Sequence, residues 1–466
     1  MMGRSVEGDS TRGSFVPKRC TPDDLQNIQN IHQLENWATK HVLAPSLAAF
    51  VNYGAEDEES IASNQRGFTR YYLRPRILRD VSSIDTSTTI LQGSIKLSSP
   101  VCVAPFAGCR ALHPDGENAV ASAAARVGTI YTVPNWASIP LPTILESHCC
   151  QTNKKSGDTS NPSKQATSPL FFQLYPHKPP NPQEGIHREH MKALLEYLEA
   201  TSSGKIVAVV VTCDTPNNGN REKTYKNAKW LVDINEEVGG FPMPCALKYA
   251  NKLPQVNEEG HSAKMNWDDI IWMKQECKNH QMKLIVKGIM TAEDAVLAAK
   301  AGVDAIIISN HGGRQLDGTC GTVEVVEECA RAVNDCTNKM MEIYVDGGIR
   351  RGKDVVKCLA LGAKCVFVGR PILWGLAAGG EAGVVRALEI LRNEFREVMQ
   401  LIGCQSCTEL SIEYVGKEGE CIHKRITKTT PMQNNHSTQW FVPTVCVFSL
   451  AAFAFGRSMG SSSRRN

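Results

Sequence analysis

Eight short runs of β-branched and aromatic residues, separated by helix-patterned segments, limit what this chain can fold into more than any other feature. They are VCVAP (101–105), TIYTV (129–133), LFFQLY (170–175), KIVAVVVT (205–212), KLIVK (283–287), DAIIIS (304–309), EIYVD (342–346) and KCVFVG (364–369). Helical stretches fall between them, such as ENAVASAAARVG (117–128) and TAEDAVLAAKAG (291–302), where Thr291 is placed to cap the start and Gly302 the end. Strands alternating with helices build a parallel sheet. Eight such strands are the number that closes into a (β/α)8 TIM barrel. The competing architecture is a doubly wound open sheet. It calls for a G-x-G-x-x-G turn after the first strand, and none follows Pro105.

The 466 residues exceed what one barrel needs, so appendages are expected. The barrel region is assigned to 25–415, preceded by a flexible arm at 1–24. Two connections are long. The polar, Ser/Thr/Asn/Lys-rich insertion at 148–169 is expected to be solvated, and 217–265 follows the fourth strand, where a lid over the site would sit. A linker at 416–440 leads to FVPTVCVFSLAAFAFG (441–456), sixteen residues without a charge. That run is short against the roughly 20 residues of a bilayer span, and it reads either as a membrane tail or as a segment docked on protein.

The 51 basic and 48 acidic residues leave a net charge of +3, which excludes the basic signature of nucleic-acid binding and fits a small soluble substrate. The 17 cysteines are scattered through strand and helix patterns, as at Cys102, Cys213, Cys358 and Cys365. They read as reduced thiols in an intracellular protein. Cys404 and Cys407, with Cys421 and His423 beyond, lack a matched second C-x-x-C, so no metal is expected.

Barrel enzymes build their sites at the C-terminal ends of the strands. The polar residues at those ends here are Gln173 and Tyr175, Thr212 and Asp214, Lys287, Ser309 and His311, and Asp346. His311, in SNHGGRQLD (309–317), is followed by Gly312, Gly313 and Arg314, which puts an imidazole beside a fixed cation. Such a pair suits proton abstraction from a substrate whose carboxylate the arginine holds. The glycines of DGGIRRG (346–352) and the Gly369–Arg370 pair lie where barrels commonly bind phosphate, which implies a phosphorylated ligand or cofactor.

SNHGGRQLD, YVDGGIRRG and FVGRP together resemble the signature segments of the FMN-dependent 2-hydroxy-acid oxidase and dehydrogenase family, typified by glycolate oxidase. The resemblance runs from about residue 25 to 412 and includes NYGAEDEES, YLRPRILRDV, HPDGE, FFQLY, TCDTP, VKGIMTAEDA and LAAGGEAGV. It implies that His311 is the base acting at the substrate's α-carbon and that Asp214 orients it and stabilises the imidazolium. It further implies that Arg221 and Arg314 bind the carboxylate, that Tyr175 reaches the substrate oxygen, and that Phe50 and Trp136 wall the pocket. Lys287 would face the flavin N1 and C2 oxygen. FMN would be cradled by Pro105, Phe106 and Ala107, by Gln173, Thr212 and Ser309, by Asp346, Gly347, Gly348, Ile349 and Arg350, and by Gly369 and Arg370.

Two departures from the family pattern bear on specificity. Phe50 stands where many members carry a carboxylate-binding tyrosine, which points to longer aliphatic or aromatic 2-hydroxy acids over glycolate. Pro134 replaces a flavin-contacting serine in TVPNWAS and offers neither hydroxyl nor amide donor. The expected reaction is oxidation of (S)-2-hydroxy acids with O2 as acceptor, yielding hydrogen peroxide. A dehydrogenase passing electrons to a quinone or cytochrome and an inactive FMN-binding homologue are the alternatives. The family also implies a homotetramer and often a peroxisomal address, although the chain ends SSSRRN with no S-K-L signal.

Overall fold

The structure, a computed structural model, describes residues 17–152, 168–179, 183–225, 262–336 and 341–420. Its centre is a closed, all-parallel barrel of eight strands. These are β1 (Val101–Val103), β2 (Tyr131–Val133), β3 (Leu170–Leu174), β4 (Ile206–Thr212), β5 (Lys283–Ile289), β6 (Ala305–Ile308), β7 (Glu342–Asp346) and β8 (Cys365–Val368). The eight expected runs are these strands with ends trimmed by a residue or two, apart from β7, which matches its run end to end, and β5, which continues to Ile289. β8 pairs with β1 in the register Val366↔Val101, which closes the sheet and rules out the doubly wound alternative.

The strands read as unbroken apolar runs because both faces are covered. On β4, Val209 and Val211 pack outward while Ala208 and Val210 fill the barrel interior. The outer layer is α1 (Gly116–Val127), α2 (Leu141–Thr152), α3 (Arg188–Ser202), α4 (Trp267–Asn279), α5 (Ala292–Lys300), α6 (Val326–Cys336), α7 (Gly352–Ala360) and α8 (Arg370–Leu401). The Thr291 hydroxyl caps α5 as expected, and Gly302 follows its end with φ +77°. α8 breaks at Gly379–Gly380 and doubles back, so that Gly375 meets the Gly383 carbonyl, an approach too close for any Cβ. A hairpin of Thr88–Ile90 with Ile95–Leu97 plugs the N-terminal mouth, where the Leu91 amide donates to Glu342 Oε2 at 2.7 Å.

The compact unit is longer than the sequence reading makes it. The arm assigned to 1–24 is fixed from its described start: Lys18 N–H donates to the His41 carbonyl, Cys20 N–H to the Ala378 carbonyl, and Thr21 forms a capping box with Asp24 for helix Pro22–Asn27. At the other end, Val415–Lys417 pairs with Tyr71–Leu73, and the unit runs to Glu420 instead of stopping at 415. Of the polar insertion, 148–152 belong to α2, while 153–167 lie outside the described residues. So do 226–261 of the expected lid and the whole tail at 441–456. No helix among the described residues is long and apolar enough to cross a membrane. The cysteines whose side chains are described are free thiols, and no group of three or more metal-binding side chains occurs among the described residues.

Candidate active site

A cavity of about 470 Å³ opens at the C-terminal mouth of the barrel. His311 enters it from the turn after β6. This residue has φ +56°, and Gly312 and Gly313 continue in the left-handed region at +66° and +75°. For a non-glycine residue that conformation costs about 1–3 kcal/mol and persists only where its surroundings impose it. Its Nδ1 lies 2.9 Å from Asp214 Oδ1. Asp214 stands behind His311, just beyond β4, and does not line the cavity. Burial pushes the Asp214 carboxyl up, but His311 and Lys287 outweigh it and hold the group below the ordinary carboxylate range. The histidine moves down as well: burial lowers it, Asp214 opposes, and Lys287 and Arg221 add to the lowering. The resting pair is therefore a neutral imidazole against an ionised carboxylate. Because an ionised carboxylate only accepts, Nδ1 carries the proton and Nε2 keeps its lone pair.

Lys287, at the end of β5, is 5% exposed. Its ammonium donates to Ser309 Oγ at 2.9 Å and lies 3.5 Å from Asp346 Oδ2. Burial works against that charge, yet Asp346, Asp214 and Tyr175 outweigh it and raise the pKa above the ordinary lysine value. Lys287 is thus a fixed cation on the cavity floor. Ser309 does not line the cavity; its hydroxyl accepts from both Lys287 and the His311 amide. Gln173 spans β3 and β4, donating to Thr212 Oγ1 at 3.1 Å and accepting from the Asn135 amide.

On the other side, Arg221 donates through Nε to the Arg314 carbonyl and through Nη2 to Gln315 Oε1, both at 2.9 Å. Arg314 donates to the Phe50 carbonyl at 2.6 Å, and its guanidinium lies 5.0 Å from the Phe50 ring and 5.8 Å from the Phe106 ring. Phe50 and Phe106 pack edge to face, and Trp136 tilts against Tyr175 at 5.4 Å between centroids. Burial raises the Tyr175 phenol, which keeps it protonated. Phe50, Phe106, Trp136 and Tyr175 all line the cavity. Pro134 is buried next to that wall but does not line the cavity.

Pro105, Phe106 and Ala107, the turn Asp346–Arg350 and the Gly369–Arg370 pair also line the cavity. Among the described residues neither Arg350 nor Arg370 forms an ion pair, and the Arg350 Nε is buried without a hydrogen-bond partner. Burial and the neighbouring Arg350 push Arg370 down to about 9. Two adjacent guanidinium groups without an ion-pair partner among the described residues are the complement of a phosphate; Arg370 also donates to the Val51 and Gly312 carbonyls, and Lys287 and His311 line the same cavity. The donor set fits FMN, whose phosphate would meet Arg350 and Arg370 and whose ring would meet Lys287.

Several cavity residues escape the sequence reading. Thr215, Asn218 and Thr224 line it after β4. Asn64 and Thr322 touch no part of it yet brace the turns after β6 and β7. Asn64 lies on a helix far back in the chain, and no local signal marks it.

A closed parallel barrel whose cavity is lined by arginines after β7 and β8 and by a neutral imidazole after β6 is the frame of a cofactor-binding barrel enzyme. More narrowly, the chain belongs to the FMN-dependent dehydrogenase family, which it matches over residues 39–417. The chain is 39% identical to human 2-hydroxyacid oxidase 2 over 370 residues, covering 79% of this chain and 93% of the relative. It is 34% identical to the peroxisomal (S)-2-hydroxyacid oxidase GLO3 of Arabidopsis thaliana over 402 residues, covering 86% and 100%. Among solved structures, a mandelate oxidase variant with (S)-mandelic acid aligns with TM-score 0.65 and 31% identity, covering 84% of this chain and 98% of that one. The chain is an FMN-dependent oxidoreductase acting on CH–OH groups of 2-hydroxy acids.

Proposed function

We propose that the protein oxidises (S)-2-hydroxy acids to 2-oxo acids and passes the electrons to O2, so that R–CHOH–COO⁻ and O2 become R–CO–COO⁻ and H2O2. One observation carries this reading: a neutral His311 with Nδ1 committed to Asp214 shares a cavity with Arg221 and Arg314. The two arginines bind the substrate carboxylate and turn its α-carbon toward His311. The His311 Nε2 takes the proton, and the Asp214 carboxylate stabilises the imidazolium that forms. The Tyr175 hydroxyl meets the substrate oxygen as it becomes a carbonyl. FMN, when bound, supplies the two-electron sink, and Lys287 provides positive charge where negative charge gathers on the ring.

The pocket wall of Phe50, Phe106 and Trp136 supports a preference for medium-chain or aromatic acids over glycolate. A homotetramer and a peroxisomal location belong to the same proposal, the second supported by the name of the Arabidopsis relative. The test of the acceptor is readmission of oxygen to enzyme reduced anaerobically by a 2-hydroxy acid. Rapid reoxidation with stoichiometric peroxide supports the oxidase. Slow reoxidation that a quinone or cytochrome accelerates assigns the chain to the dehydrogenases instead.

A further inference from the structure

The left-handed backbone at His311 needs something to impose it, and the helix Glu59–Thr69 packs its polar side chains against this loop. The helix N-terminus is capped from the His311 loop itself, because the Glu59 and Ser60 amides donate to the Asp317 carboxylate at 3.1 and 2.8 Å. One turn on, Asn64 is 2% exposed. A buried carboxamide in mid-helix is costly unless its hydrogen bonds are satisfied. The Asn64 side chain finds its partners in one distant segment. Its Nδ2 donates to Asn310 Oδ1 at 2.8 Å, and its Oδ1 accepts from Asn310 Nδ2 at 3.0 Å and from the Thr322 amide at 3.1 Å.

Asn310 is the residue immediately before His311, so this reciprocal amide pair fixes the chain at the point where it turns left-handed. Thr322 carries the contact further, its hydroxyl donating to the Asp346 carbonyl at 2.5 Å. The turn after Asp346 rests on the same residue, for a Cβ on Gly348 would sit 2.2 Å from the Asn64 carbonyl oxygen. The base-bearing loop and the phosphate-facing turn thus share one support.

We propose that Asn64 is a positioning residue that holds His311 in register through Asn310 and sets the Asp346–Gly348 turn through Thr322. The proposal rests on the reading of His311 as the base. Asn64 does not line the cavity and acts only through these two neighbours.

The test uses full-length, FMN-loaded Asn64→Ala, with Asn64→Ser as a milder variant should the alanine not accumulate, and Asn310→Ala alone and combined. A misplacement of about 1 Å is enough to cost on the order of 10²-fold, so kcat is expected to fall by about that factor with KM little changed. Removing Asn64 in the Asn310→Ala background is expected to cost little more in kcat, because the His311 loop is held through that one pair, while FMN affinity still falls through the lost Thr322 contact. FMN affinity, read by quenching of flavin fluorescence, is expected to drop in Asn64→Ala.

A second readout needs no turnover. Carbethoxylation of His311, followed by peptide mass spectrometry across pH, reports its protonation amid Asp214, Lys287 and Arg221. Loosening the loop relieves burial, so the midpoint is expected to rise toward the ordinary histidine value of 6.5. Unchanged kcat, FMN affinity and His311 midpoint in a variant that merely melts earlier would overturn the proposal. Absence of turnover in the wild type would instead remove the oxidase reading and leave the modification and FMN-binding tests standing.

Discussion

Replacing Asp214 with asparagine isolates what the carboxylate does for His311. The swap keeps the shape and the 2.9 Å contact to Nδ1 and deletes one buried charge. In the wild type that charge faces an imidazolium only after the proton has moved. With charge centres about 4 Å apart and an effective dielectric constant of about 20, the lost attraction is about 4 kcal/mol. Since about 1.4 kcal/mol is tenfold in rate, reduction of the flavin should slow by about 10³-fold. KM for the 2-hydroxy acid should stay nearly constant, because the arginines are untouched. The assay is anaerobic stopped-flow observation of flavin bleaching at saturating substrate, repeated across pH. Asp214 is also the influence that opposes the burial of His311, so its loss should lower the His311 pKa further. A base must be neutral to work, and the acid limb of the residual rate should therefore move to lower pH. A reduction rate within about threefold of wild type, against the roughly 10³-fold expected, would refute the reasoning.

Phe50→Tyr is expected to restore a hydroxyl toward the substrate carboxylate and improve kcat/KM for glycolate about tenfold, as one hydrogen bond to a charged group is worth about 1.5–3 kcal/mol; steady-state kinetics with glycolate and a medium-chain acid checks this. Lys287→Met should slow flavin reduction about 10²-fold and weaken sulfite addition to the oxidised flavin, read from the visible spectrum, because the cation facing the ring is gone. Gly348→Ala forces a side chain onto φ +76° and into the Asn64 carbonyl, so the melting temperature and FMN affinity should both fall in a thermal-shift titration. His148 and His190 are buried and held down to about 4 and about 3, chiefly by burial. Unfolded histidines bind protons first, so stability should be lost as pH falls below about 6.5, by about 1.4 kcal/mol per pH unit per group. Acid denaturation of His148→Phe and His190→Phe, each less pH-sensitive than wild type, checks the sign.

Much of the barrel is legible because its strands are covered on both faces and so read as compact apolar runs, and because barrel chemistry gathers at strand ends. His311, Lys287 and Arg370 all follow strand ends and line the cavity. What the sequence hides is whatever depends on distant pairing. The Asn64–Asn310 contact joins residues 246 positions apart, and nothing in the local pattern around Asn64 separates it from any polar residue on a helix. The plug at the barrel floor depends on Glu342 and Tyr344 meeting Leu91, which is equally invisible locally. The polar start of the chain reads as a flexible arm over 1–24, although Thr21-Pro22-Asp23-Asp24 is a capping signal that local reading can find.

The central claim is that His311 takes the α-proton of a 2-hydroxy acid while the electrons pass to FMN. It is tested most directly by anaerobic mixing of FMN-loaded wild type and His311→Ala with a medium-chain (S)-2-hydroxy acid bearing hydrogen or deuterium at the α-carbon. The wild-type flavin is expected to bleach, more slowly with deuterium, and the variant flavin to stay oxidised. Bleaching that survives the loss of His311, or a wild-type flavin that no 2-hydroxy acid reduces, would contradict it.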